Sequence, residues 1–192
     1  MSEGLSIKDE LLRKCIHICS SVFALALFYI DQGMLCMIVG IGALVFISFD
    51  FLRIKSIKIN QMFQNIFGRV TRDFEDSRLT GASYVLLASF IILLFFDKYV
   101  CIASILIMSC SDTAAAIIGK KYGKTAIFNK TLEGSFAFLV TGLIIVLILY
   151  PEINLFASLI ALMVGTFVEA LPIDIDDNFS VPIIVALIMS AG

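Results

Sequence analysis

The chain has few charged residues, a single histidine and no tryptophan. Only 16% of its 192 residues are charged, whereas soluble domains have about 25%. Hydrophobic residues make up 60% of the chain, and its 17 phenylalanines occur without the tryptophans that often anchor membrane proteins at the lipid surface. The net charge of −2 leaves no general basic surface, so any functional basic patch must be local. These shortages argue against a soluble enzyme, a disordered chain and a nucleic-acid-binding protein, and they predict an integral membrane protein.

The five cysteines are not spaced like the ligands of a zinc site. They lie in or beside apolar segments and form no CxxC pair. With one histidine in the chain, a zinc site is not expected. We interpret the cysteines as free thiols that pack as small hydrophobic groups.

Apolar segments long enough, or nearly long enough, to cross a bilayer recur along the chain. A spanning helix needs about 20 mostly apolar residues, and about 17 at the short end. The pattern predicts an all-α polytopic bundle of about seven transmembrane helices, in a single domain that covers residues 1–192. The predicted spans are 15–30, 34–52, 80–96, 99–118, 135–150, 154–171 and 178–191.

Lysine and arginine are unevenly divided between the two predicted membrane faces. All but one of the 14 basic residues lie in the N-terminal tail and in the connections 53–79 and 119–134, and the exception is Lys98. The positive-inside rule predicts that these segments and the N-terminus are cytoplasmic. With no targeting segment recognisable before the first span, the pattern fits a bacterial inner membrane.

The connection 53–79 contains apolar residues at roughly helical spacing, with polar residues between them. These apolar residues are Ile54, Ile57, Met62, Phe63, Ile66 and Phe67. The pattern predicts an amphipathic helix, which either lies in the cytoplasmic membrane interface or packs on the bundle.

Ionisable residues collect at the predicted cytoplasmic ends of several spans. Asp112 lies inside the fourth span, about 10 Å from its cytoplasmic end. Glu169 and Asp177 lie near the ends of the sixth and seventh spans, and Arg13 and Lys14 precede the first. Because charges inside a bilayer are costly and tend to mark function, this convergence predicts a site at the cytoplasmic face.

Other polar residues of these regions have plainer interpretations. Asp50 is interpreted as a helix-boundary residue, and His17 by itself as an interfacial histidine. The lysines of the connection 119–134 could serve as topology signals alone.

The segment from Gly119 to Ser135 combines glycines, lysines and an acid, as sites for phosphate and metal do. Lysines neutralise phosphate charge, and glycines allow backbone N–H groups to approach it. Mg²⁺ is usually held by one or two carboxylates together with substrate phosphates. The segment leads into a predicted helix N-terminus, which also favours anions, but it lacks the GxxxxGK[ST] pattern of a Walker A loop.

The order of these motifs resembles that of the CTP-dependent lipid kinase family, which groups dolichol kinases, phytol and farnesol kinases and the fungal type of diacylglycerol kinase. The resemblance runs from about residue 10 to about residue 185. Its pieces are Arg13-Lys14 with His17; Arg72-x-x-Glu75 before Leu79-Thr80-Gly81-Ala82; Ser111-Asp112-Thr113-Ala114-Ala115 with Gly119 and Gly123; Lys130-Thr131-Leu132-Glu133-Gly134-Ser135; and Glu169-Ala170 with Asp177-Asn178 and Pro182. The chain departs from dolichol kinases at Ser111, where they often have glycine, and it has fewer spans than they usually do.

The resemblance implies transfer of the γ-phosphoryl group of CTP to the hydroxyl of a membrane lipid of the polyprenol, phytol or diacylglycerol type. The implied cofactor is Mg²⁺ or another divalent cation, and the implied partners are CTP, a lipid alcohol and the bilayer, without nucleic acid. A distant similarity to phosphatidate cytidylyltransferases leaves a CDP-lipid product as an alternative, although their Gly-His-Gly-Gly run is absent here. A small transporter or structural membrane protein is the third possibility.

The resemblance also implies roles for particular residues. Asp112 would bind the metal or orient the lipid hydroxyl, with Asp177 and either Glu169 or Glu133 as further metal ligands. Arg13 and Lys14 would neutralise the transferring phosphoryl group. The implied nucleotide-binding residues are Gly119, Lys120, Gly123, Lys124, Lys130, Glu133 and Gly134.

Overall fold

The computed structural model describes residues 7–71, 78–128 and 130–192, and most of these residues are helical. The helices are α1 (Ile7–Ile18), α2 (Ser21–Ala26), α3 (Gln32–Lys55), α4 (Ile57–Phe67), α5 (Gly81–Phe95), α6 (Lys98–Leu106), α7 (Asp112–Tyr122), α8 (Leu132–Leu149), α9 (Leu155–Ala170) and α10 (Asp177–Ser190). A π-helical turn (Ile107–Ser111) joins α6 to α7, and a 3₁₀ turn (Tyr150–Glu152) follows α8. A short antiparallel hairpin, β1 (Ala126–Ile127) and β2 (Lys130–Thr131), precedes α8. The all-α prediction is confirmed apart from this hairpin.

Three helices within the described residues are long and apolar enough to cross a membrane. They are Gln32–Lys55, Lys98–Tyr122 with its π turn, and Leu132–Glu152. Three shorter apolar helices, α5, α9 and α10, accompany them in the part of the chain that the structure describes. The chain therefore has the fold of a helical membrane protein, whereas the predicted total of about seven spans stays a prediction.

The first predicted span, 15–30, is not one continuous helix. α1 ends at Ile18 and α2 begins at Ser21. The hydroxyl of Ser20 donates to the carbonyl of His17 at 2.7 Å, and that of Ser21 donates to the carbonyl of Ile18 at 2.6 Å. Serine hydroxyls that bond nearby carbonyls compete with the backbone pattern of a helix, and here they accompany its interruption.

The helix α6 lies at the centre of the bundle. Its residues from Cys101 to Ile105 have no solvent-accessible surface, and α2, α8 and α10 pack against it. In contrast, α3 leaves a row of apolar side chains uncovered, including Met37, Ile41 and Leu44, each about two thirds exposed (65%, 65% and 67%). An apolar surface of this extent fits contact with lipid.

A buried ion pair and its hydrogen bonds join α3 to α5, and we call this group the Asp50–Arg53 network. Asp50 and Arg53 are 1% and 0% exposed, and Arg53 Nε donates to Asp50 Oδ1 at 3.2 Å. Asp50 Oδ2 accepts from the backbone N–H and the hydroxyl of Thr80, at 2.7 and 2.9 Å, and from the hydroxyl of Ser83 at 2.7 Å. Arg53 also donates to the carbonyl of Arg78 at 2.8 Å. The interpretation of Asp50 as a mere helix-boundary residue is therefore wrong.

The amphipathic helix predicted in the second connection is present as α4. Phe63 packs on the bundle, with its ring 6.0 Å from that of Phe49 and 4.8 Å from the guanidinium of Arg53. Ile57 and Ile66 on the same helix are 79% and 69% exposed. One face of α4 therefore packs on the bundle, while another keeps an apolar surface of the kind that suits a membrane interface.

Candidate active site

Asp112 begins α7 directly after the π turn and meets α1 there. Lys14 of α1 donates to Asp112 Oδ2 in a buried ion pair. His17, one helical turn further on, places Nε2 3.2 Å from Asp112 Oδ2 and 3.2 Å from the carbonyl of Met108. The carbonyl of Met108 can only accept, so in this contact Nε2 is the donor, and the same nitrogen lies beside the Asp112 carboxylate at the π turn. Turns of this kind occur often at functional sites.

Lys130 forms a second group of ion pairs, to which the hairpin, α9 and α10 each contribute one residue. Lys130 Nζ lies 2.5 Å from Glu169 Oε1 and 2.8 Å from Asp177 Oδ2. The hairpin register, with Lys130 opposite Ile127, holds the lysine at the start of α8. Burial disfavours its charged form, but the carboxylates of Asp177 and Glu169 outweigh burial and raise the pKa of Lys130 above its ordinary value.

The two groups meet in a cluster of three carboxylates. Each of Asp112, Glu169 and Asp177 offers an oxygen, and these oxygens lie within 4.8 Å of one another. Glu169 is 3% exposed, and its Oε2 is buried without a hydrogen-bond partner among the described residues. Buried polar atoms normally have a partner, and a bound cation would supply one for this oxygen. Carboxylate oxygens are the kind of ligand that Mg²⁺ prefers, so the residues present fit this cation.

Arg13, which precedes Lys14 in α1, adds a second unsatisfied polar group, a donor. Its guanidinium Nη2 lies 2.5 Å from Glu10 Oε1. Its Nε is buried and has no hydrogen-bond partner within the described ranges. The site therefore offers a buried acceptor, Glu169 Oε2, that suits a cation, and a buried donor, Arg13 Nε, that suits an anion.

The predicted phosphate-binding glycines are packed against one another and against Thr131. A Cβ built on Gly119 would lie 2.8 Å from the hydroxyl oxygen of Thr131, and one on Gly134 would lie 3.3 Å from the Cα of Gly119. One on Gly123 would lie 2.2 Å from the carbonyl oxygen of Gly119. Thr131 also caps α8, accepting from the N–H of Gly134 at 3.2 Å. Their small size therefore allows α7 and α8 to approach closely, and contact with phosphate stays a prediction.

The remaining predicted nucleotide-binding residues lie at the exposed end of α7, in the connection after it and in the first turn of α8. Lys120 and Lys124 are exposed. The carboxylate oxygens of Glu133 accept from the N–H of Thr125, at 3.2 and 3.3 Å, which places this acid on the connection. Glu133 is not part of the carboxylate cluster found among the described residues. Arg72 and Glu75 of the recognised motifs, and Asn129 of the segment 119–135, lie outside the described residues.

Sequence reasoning gave His17 no separate role, although the histidine lies within the recognised motif. The spacing of three residues between Lys14 and His17 could have indicated a role, because residues three apart lie on the same side of a helix and can contact one partner. Ser111 and Ser135, two further residues of the recognised motifs, have buried hydroxyls without a partner in the ranges that the structure describes.

The fold and the site together define a helical membrane protein with a buried cluster of acids and bases suited to a divalent cation and a phosphate group. The chain is 30% identical to the CTP-dependent diacylglycerol kinase 1 of Saccharomyces cerevisiae, over 96% of this chain and 73% of the relative. It is 26% identical to the protein of the same name from Schizosaccharomyces pombe, over 96% and 94% of the two chains. It is also 27% identical to an uncharacterized protein of Rickettsia prowazekii, over 91% and 90%. No family model matches the chain, and no solved structure matches it.

The chain therefore belongs to the CTP-dependent lipid kinase family. Membership in this family makes the protein a phosphotransferase.

Proposed function

We propose that this protein transfers the γ-phosphoryl group of CTP to the hydroxyl of diacylglycerol, and that phosphatidate and CDP are the products. The names of the yeast relatives support both the donor and the acceptor. The observation that carries the proposal is the carboxylate cluster of Asp112, Glu169 and Asp177, with the basic side chains of α1 and β2 paired to it. Phosphoryl transfer depends on positioning and charge neutralisation more than on covalent chemistry, and these groups supply both.

In this proposal Mg²⁺ is held by Asp112, Glu169 and Asp177. When bound, the ion would neutralise charge on the phosphates. The buried and unsatisfied Oε2 of Glu169 supports its assignment as a ligand.

The protein's own residues prepare the transfer in three ways. Arg13 and Lys14 present positive charge to the transferring group, and His17 keeps Asp112 in place through its contact with the carbonyl of Met108. Lys130 balances the charge of Glu169 and Asp177 and gives the triphosphate a further cation.

The oxygen of the lipid hydroxyl forms a bond to the γ-phosphorus, the bond from that phosphorus to the β,γ-bridging oxygen breaks, and CDP leaves. The hydroxyl proton passes to a carboxylate of the cluster.

The proposal also includes the predicted topology of about seven spans, with the N-terminus and the site at the cytoplasmic face of a bacterial inner membrane. The distribution of lysine and arginine supports this orientation. The exposed lysines at the end of α7 and in the connection after it support it further, because they lie where the aqueous CTP would arrive.

The experiment is phosphoryl transfer by the purified protein in mixed micelles, with CTP labelled separately at its α or γ phosphate. Diacylglycerol, a polyprenol and phosphatidate are supplied in turn as acceptors. We expect γ label in phosphatidate from diacylglycerol, in a reaction that requires Mg²⁺. Alpha label in lipid would instead establish a cytidylyltransferase, and binding of CTP without transfer to any lipid would contradict an enzymatic role.

The Asp112→Asn variant shows whether the transfer belongs to this site. We expect it to lose activity while it retains its helical circular dichroism. Asp97→Asn makes the same chemical change at an exposed residue before α6, whose side chain does not cap the helix. Asp97→Asn should keep full activity, and an active, folded Asp112→Asn variant would overturn the assignment.

A further inference from the structure

A cavity of about 260 Å³ lies beside the carboxylate cluster. Its walls come from the start of α5, from the last residues of α9 and from the connection 171–176 that leads into α10. Glu169, Asp177 and Lys130 line it as well, so the cavity adjoins the place where the phosphoryl group would transfer.

The cavity and the basic residues of α1 lie on different flanks of the cluster. Arg13 and Lys14 reach the cluster from α1 where this helix packs on α7, and neither lines the cavity. The cavity is lined instead by residues of α5, α9 and α10, and α10 packs on both α5 and α9. In phosphoryl transfer the attacking and the leaving oxygen lie roughly in line, so donor and acceptor approach from opposite sides. If the triphosphate binds on the side of Arg13 and Lys14, the acceptor would bind in the cavity.

The charges that line the cavity favour a neutral ligand. Four carboxylates and two basic residues line it, and two of these carboxylates, Asp174 and Asp176, lie outside the proposed metal ligands. Both basic residues already have partners, because Lys130 pairs with Glu169 and Asp177, and Arg78 donates to the carbonyl of Asp174 at 3.4 Å. A nucleoside triphosphate or phosphatidate would add negative charge to an acidic wall, whereas a lipid alcohol would not.

The rest of the wall is apolar and continues to the protein surface. Leu79, Tyr84 and Leu171 line the cavity, and so do Ile173 and Ile175. Ile173 and Ile175 are 44% and 56% exposed, although both are aliphatic. Exposed aliphatic side chains in a connection between two apolar helices fit a contact with the membrane interface. A lipid could therefore enter here with its hydrocarbon part against apolar side chains.

We propose that this cavity is the acceptor subsite and binds the uncharged glycerol end of diacylglycerol, with the free hydroxyl directed at the carboxylate cluster. The proposal rests on the proposed function, from which the acceptor is taken. It assigns Tyr84, Leu171 and Ile175 to recognition of the lipid rather than of CTP.

The first test places a larger side chain in the wall of the cavity. Ile175→Trp adds bulk to a residue that lines it, and Ile144→Trp makes the same change on α8, where the isoleucine is 53% exposed and lies outside the cavity lining. We expect Ile175→Trp to raise the KM for diacylglycerol in mixed micelles about fivefold or more, with the KM for CTP unchanged. Ile144→Trp should change neither constant. An unchanged KM for diacylglycerol, or a rise in the KM for CTP alone, would overturn the subsite.

The second test does not depend on catalysis, so it separates failure of the subsite from failure of the proposed function. The wild-type protein in micelles is irradiated with a diacylglycerol analogue that carries a photoreactive group near the glycerol, and the labelled peptides are identified by mass spectrometry. We expect label in the connection 171–176 or at the start of α5, with stronger competition by diacylglycerol than by phosphatidate. Label confined to other segments, or equal competition by phosphatidate, would refute the subsite even if γ-phosphoryl transfer is observed. Specific label in the cavity would support it even if transfer is absent.

Discussion

Replacing Asp50 with asparagine should destabilise the protein strongly, although Asp50 lies outside the candidate active site. The carboxylate is buried and accepts hydrogen bonds from Thr80, Ser83 and Arg53. Asparagine keeps the shape but removes the charge, and its amide group can only donate. Arg53, with no exposed surface, would then lack its acidic partner in the Asp50–Arg53 network.

The expected loss follows from the burial of the pair. Hydrogen bonds to a charged group contribute about 1.5–3 kcal/mol each, but asparagine retains one acceptor oxygen, so these contributions do not simply add. Removing one partner of a buried ion pair costs about 3–5 kcal/mol, because the other charge stays buried without compensation. We therefore expect Asp50→Asn to lower the free energy of unfolding by about 3–5 kcal/mol.

The assay is equilibrium unfolding in mixed micelles with increasing SDS, followed by circular dichroism because the chain has no tryptophan. Asp97→Asn, at an exposed position, is the matched control and should change the free energy of unfolding by less than about 0.5 kcal/mol. The double variant Asp50→Leu with Arg53→Met removes both charges, and it should be less destabilised than the sum of its single variants by about 1–3 kcal/mol. If Asp50→Asn proves as stable as Asp97→Asn, the charge argument is refuted.

Three further predictions follow from the site and its surroundings. Glu169→Gln should abolish the rise in unfolding temperature that Mg²⁺ causes in the wild type and lower kcat about 100-fold or more; a preserved Mg²⁺ effect on unfolding would remove Glu169 from the ligand set. Gly134→Ala should cost about 1–3 kcal/mol of stability, because the new methyl group would lie 3.0 Å from a backbone carbonyl of α7. Its control, Gly42→Ala, would meet only a leucine methyl group at 3.8 Å and should be neutral or stabilising in the same SDS titration. Asp174→Asn should strengthen product inhibition by phosphatidate in low salt, because it removes one negative charge from the wall of the acceptor cavity, and the difference should shrink in about 0.3 M salt; equal inhibition of both proteins at low salt would contradict the charge argument.

The helical membrane fold and the residues of the candidate site could be predicted from sequence because they depend on local properties. Low charge and long apolar segments predict membrane helices wherever they occur in a chain. The acids at 112, 169 and 177 stand out because a charge is costly within such segments, whatever surrounds it. The recognised motifs predicted the family, which the yeast relatives confirm.

The extent of each helix was harder to predict, because apolar composition does not report where side chains interrupt a helix. The serines at 20 and 21 are ordinary residues in an apolar stretch, yet their hydroxyls bond carbonyls of the preceding turn where α1 ends. The π turn before Asp112 likewise follows no pattern that we recognised in the sequence.

The sequence alone determined that this is an all-α membrane protein with acids and bases at the ends of its helices, since composition and spacing depend on neighbours along the chain. Only the tertiary structure decided which of those residues meet. It separated Glu133 from the three clustered carboxylates, packed Gly119 against Gly134, and joined Asp50 to Arg53 and Thr80 in a buried network. The physical reason is that contacts between helices depend on how the helices are rotated and inclined against one another, and many packings satisfy the same apolar pattern.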